Sequence, residues 1–121
     1  MRDIDLCSLL CKLRPEAQEY ITQTYAPLLY QIEQKVTREL LHLEREVDLE
    51  NLVLPPPFEE VYWTYILPFV DLGRGNVQMY REGRVLFSEA WENLRRSVFE
   101  QGEDFKIAVK GRDDWWVEEW N

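Results

Sequence analysis

The sequence predicts an α+β domain, with helices leading and two short antiparallel β-hairpins flanking a C-terminal helix. Over Pro15–Val47 apolar residues recur at steps of three or four, as on a helix with one buried face. Two later stretches place apolar and aromatic runs on either side of turn residues, at Glu82-Gly83 and at Gly111-Arg112-Asp113-Asp114, as hairpins do. The 121 residues fit a single acidic domain spanning 1–121.

In chain order, Asp3–Leu13 reads as a short helix with Ile4, Leu6, Leu9, Leu10 and Leu13 inward. Arg14-Pro15 ends it, because the residue before a proline avoids the helical region. Pro15 suits the first position of the next helix, whose stripe is Ile21, Tyr25, Leu28, Ile32, Val36, Leu40, Leu43 and Val47, widened by Leu29 and Leu41. Pro27 falls inside it and predicts a kink or a break. Asp48–Pro57 is a linker stiffened by three prolines. Phe58–Val70 is a helix expected to stop at Leu67-Pro68, and Gly73-Arg74-Gly75-Asn76 is a turn. Val77–Arg81 and Arg84–Phe87 form the first hairpin. Ser88 caps a helix over Glu89–Gln101, and Gly102 ends it. Phe105–Lys110 and Trp115–Trp120 form the second hairpin, with Lys106 opposite Glu119.

Composition narrows the function. An aromatic share of 13% with five Trp excludes a disordered chain. A net charge of −9 speaks against direct nucleic-acid binding, which needs a basic surface. It suits either solubility or a partner with a basic surface. Cys7 and Cys11 share one helical face, where a disulfide across one turn is geometrically awkward. They read as small buried hydrophobes in a reducing compartment. With acidic residues where a leader needs basic ones, and no apolar run long enough to span a bilayer, the expected location is cytoplasmic with no membrane contact.

Chemistry-bearing patterns are sparse. Glu39-x-x-His42 has the spacing of a helical metal-ligand pair, with Glu33, Glu59 or Glu60 as further carboxylates. However, Leu40 and Leu43 occupy the apolar stripe and place Glu39 and His42 beside it, on a solvated face. His42 is the single His, so no cofactor or metal is expected. No Ser or Cys sits in a nucleophile motif, and the 73–76 turn lacks the Lys and Ser/Thr of a phosphate loop. The acidic, Trp-rich end offers recognition instead: Asp113, Asp114, Trp115 and Glu119 are the candidate partner-binding residues.

These features favour a non-catalytic protein-binding module, in its sharper form an acidic inhibitor or immunity-type protein covering a basic surface of a nucleic-acid-acting partner. The alternatives are a structural or accessory subunit that forms a homodimer through its long helix, and a metal-dependent enzyme using Glu39 and His42.

Overall fold

Asp3 and Asp5 occupy the first turn of helix α1, Asp3–Leu13, where carboxylates oppose the positive end of the helix dipole. Arg14-Pro15 stops it as the proline requires, and a 3-10 turn, Pro15–Ala17, opens directly into α2, Gln18–Gln34. α2 continues as a π-helical segment, Lys35–Leu40, and the helix ends there. An irregular connection runs from 41 to 55. A 3-10 turn, Pro56–Phe58, then leads to α3, Glu60–Gly73, and a tight turn to α4, Val77–Gln101. The structure, a computed structural model, describes residues 1–102, and among them there is no β-strand.

α2 packs against both α1 and α3, α1 also meets α3, and α4 lies mainly against α3. The core combines Leu6 and Leu10, Ile21, Leu29, Ile32 and Val36, Val61, Tyr62, Ile66 and Val70, and Leu94. Each fully buried aliphatic side chain of this kind contributes about 1.5–3 kcal/mol. Arg14 joins the α1–α2 junction to the end of α3: its Nε and Nη2 donate to the two oxygens of Asp71 at 2.9 and 3.1 Å. Asp71 is itself buried, so this fork is what offsets its desolvation.

The α+β expectation is overturned. The first expected hairpin, Val77–Phe87, is the opening half of the 25-residue helix α4. Tyr80, Gly83, Phe87, Ala90, Leu94 and Val98 continue one helical face, and that period outweighs the turn preference of Glu82-Gly83. Gly83 serves the packing: a Cβ there would lie 2.6 Å from Cγ of Pro68, so the glycine lets α4 close onto the proline ring. The same contact accounts for Pro68, which sits inside α3, although a stop was expected there. Asn76 caps α4, its Oδ1 accepting from the N–H of Met79 at 3.1 Å. Ser88, expected as a cap, is mid-helix, and its hydroxyl donates to the Arg84 carbonyl.

The long helix is also shorter than its pattern. Pro27 lies in α2 without interrupting it, its ring exposed, and the departure from α geometry comes at Lys35. Leu43 and Val47, read as the last members of the stripe, lie in the connection. Ile4 and Leu13, read as inward, face solvent. The second hairpin, with Asp113, Asp114, Trp115 and Glu119, lies outside the described residues.

Candidate functional site

Glu33 sits on the buried face of α2, one turn after Leu29 and one before Val36. Only 1% of it is exposed. One carboxylate oxygen accepts from the Tyr62 hydroxyl at 2.8 Å, and the other accepts from the Val53 N–H at 2.7 Å. Tyr62 Oη in turn accepts from the Leu54 N–H at 3.0 Å. One carboxyl therefore ties α2 to α3 and to the end of the connection. Burial pushes its pKa up to about 7, against the hydrogen bonds from Tyr62 and Val53 and the positive charges of Arg45 and the Met1 amino group.

The π-helical segment begins two residues later. The Leu41 N–H donates to the Val36 carbonyl at 2.9 Å, five residues back, and the Leu43 N–H reaches the Thr37 carbonyl at 2.7 Å. His42 turns the chain between them with φ 55, the left-handed conformation usually left to glycine. Thr37 is buried, its hydroxyl donating to the Glu33 carbonyl at 2.9 Å. A π-helical turn is uncommon and often marks functional ground.

The connection combines buried anchors with exposed acidic residues. Leu41, Leu52, Val53 and Leu54 are buried. Two backbone bonds attach the connection to the start of the chain: Asp3 N–H to the Leu49 carbonyl at 2.8 Å, and Leu52 N–H to the Met1 carbonyl at 3.0 Å. Within it, Glu44, Glu46, Asp48 and Glu50 stand against one cation, Arg45, and the three glutamates are exposed. Arg38, His42, Leu43, Glu44, Arg45 and Glu46 border an open cavity of ≈630 Å³.

The expected residues do not converge here. Glu39 is exposed and pairs with Lys35 at 3.7 Å. His42 lies past the helix end, so the two do not share a helical face. Among the described residues neither joins a group of three or more His, Cys, Asp or Glu side chains that could hold a metal. Cys7 and Cys11 are free thiols, half-buried against the core, and burial together with the neighbouring Cys11 pushes the Cys7 thiol up, away from a reactive thiolate. Glu33 was legible as a carboxylate near Glu39, but its role was not. The signal was its place on the stripe between Ile32 and Val36, where a charge needs a partner. Tyr62 gave no sign of being that partner.

No family model, curated protein or solved structure matches the chain. No helix among the described residues is long and apolar enough to cross a membrane.

Proposed function

We propose that the chain is a non-catalytic protein-binding module whose partner presents a basic surface. One observation carries this reading. The connection 41–55 is long and without regular structure, yet it is held by four buried residues and by the Glu33–Val53 bond while its exposed side bears Glu44, Glu46 and Glu50. A connection of that length without secondary structure is uncommon in a compact domain and is usually functional. Anchoring it in advance reduces the ordering cost of binding. The acidity is also uneven: α4 carries four Arg and four Glu, so the excess acid of the described residues lies in residues 1–76. The sharper form is an inhibitor that covers the nucleic-acid-facing surface of an enzyme. Its place is a reducing compartment such as the cytoplasm, in keeping with the two free thiols.

The competing reading of an accessory subunit built on a long-helix seam has less support. Of the stripe that motivated it, Ile21, Ile32 and Val36 are fully buried within one chain, and Tyr25, Leu28, Leu40 and Leu43 are partly buried against the same core.

The test is affinity against salt for a partner captured from the native cell, using the chain and a Glu44→Gln/Glu46→Gln/Glu50→Gln variant. Affinity falls as salt rises, and the variant binds about tenfold more weakly, mainly through slower association. Binding that is indifferent to both salt and the three substitutions ends this reading.

A further inference from the structure

A cleft of ≈320 Å³ lies between the first turns of α3 and the middle of α4. α3 contributes Glu60 and Trp63, and α4 contributes Leu86, Glu89 and Asn93, each set spaced to fall on one helical face. Two features define its chemistry. Its lining holds two carboxylates, Glu60 and Glu89, and no basic residue, and neither carboxylate forms an ion pair among the described residues. Leu86 is 56% exposed and Trp63 is half-buried, so the cleft has an apolar wall beside its two carboxylates.

The chemistry of that wall and rim selects the occupant. An anion is repelled by the carboxylates, and a neutral apolar group desolvates them without compensation. A long side chain ending in a cation satisfies both: its methylenes lie along Leu86 and the Trp63 ring, and its head meets the carboxylates. A guanidinium suits this better than an ammonium, because it is planar, presents several donors and stacks on aromatic faces. We propose that this cleft is the seat for an arginine side chain of a partner polypeptide. The proposal rests on the reading of the chain as a binder of basic partners, and gives that partner a second point of attachment next to the acidic connection, which ends five residues before Glu60.

The experiment titrates a hexa-arginine peptide into the full chain at low salt, following the indole N–H resonance of Trp63, assigned with Trp63→Phe. Two variants are compared: Glu60→Gln/Glu89→Gln for the cleft, and Glu44→Gln/Glu46→Gln for the connection. The four glutamates substituted are exposed, and circular dichroism verifies folding of every variant. The expected result is a saturable shift of the Trp63 signal, lost in the cleft variant together with about fivefold in affinity. If the peptide binds but Trp63 does not respond, or the cleft variant binds as tightly as the parent, the cleft is not the seat. The basic-partner reading then stands when the connection variant still binds more weakly. No binding to any of these proteins at low salt overturns both.

Discussion

α3 and α4 meet along a seam of rings, whereas α2 and α3 meet at a polar node that also holds the irregular connection between them in the chain. In the first region Tyr65 meets Phe69 and Phe87 edge-on at 5.4 and 5.2 Å, and the Arg84 guanidinium lies 5.4 Å from both Phe69 and Phe87. In the second, a single carboxylate gathers a hydroxyl and a backbone amide from two other elements. The ring seam depends on shape, so a residue of similar size maintains it. The Glu33 node depends on specific donors and on protonation, so it is rigid while satisfied and costly when broken.

Breaking the node is expected to have the largest effect. Glu33→Ala leaves the Val53 N–H and the Tyr62 hydroxyl buried without their acceptor and is expected to cost about 3–4 kcal/mol at pH 7. Urea unfolding measures the total. Hydrogen exchange shows where it falls: the amides of Val53 and Leu54 speed up far more than those of α4. Uniform acceleration along the chain would show that the two regions are one cooperative unit.

The same node makes stability depend on pH. Glu33 titrates near 7 in the folded protein against an ordinary value of 4.5, so between these pH values the folded state holds a proton that the unfolded chain has released. The sign follows: this contribution is fully present below about pH 4.5 and is lost as pH rises through 7, amounting to at most about 3 kcal/mol. Urea midpoints at pH 5 and pH 8 measure it for the parent and for Glu33→Gln. The parent is expected to lose stability relative to Glu33→Gln from pH 5 to pH 8, and a difference independent of pH would refute the shifted titration.

The ring seam is probed at Gly83. In an exposed helix Gly→Ala stabilises by roughly 1 kcal/mol. Here the new methyl meets the rigid Pro68 ring, and Gly83→Ala is expected to destabilise by about 1–2 kcal/mol instead. A stabilised variant would show that the two helices do not close as described. The smallest effect is expected at the helix end, where His42→Gly relieves a left-handed residue and gains about 1 kcal/mol in thermal or urea unfolding.

α1 was legible because its signals are local: two carboxylates at the start, Arg14-Pro15 at the end, and the structure has those bounds. The end of α4 was legible at Gly102 for the same reason. Its beginning was not, since Gly83 satisfies a hairpin turn as readily as a close helix contact until Pro68 is seen opposite it. Asn76, three residues before the amide it caps, was the available signal, masked by its place in a glycine-rich turn. The ExxH spacing of Glu39 and His42 presupposed one continuous α-helix, and the π-helical segment with His42 beyond it removed that premise.

The sequence alone determined the acidity, the helical period from Ile21 to Val36 and the stops at Pro15 and Gly102, because charge, period and backbone sterics act within a few residues. Tertiary structure decided that 77–87 is helix, that Pro68 does not end α3 and that Glu33 holds the acidic connection in place. Each of those outcomes depends on a partner distant in the chain: Pro68 for Gly83, and Tyr62 and Val53 for Glu33. Local preferences of about 1 kcal/mol per residue do not decide against burial contacts of several kcal/mol supplied from elsewhere in the fold.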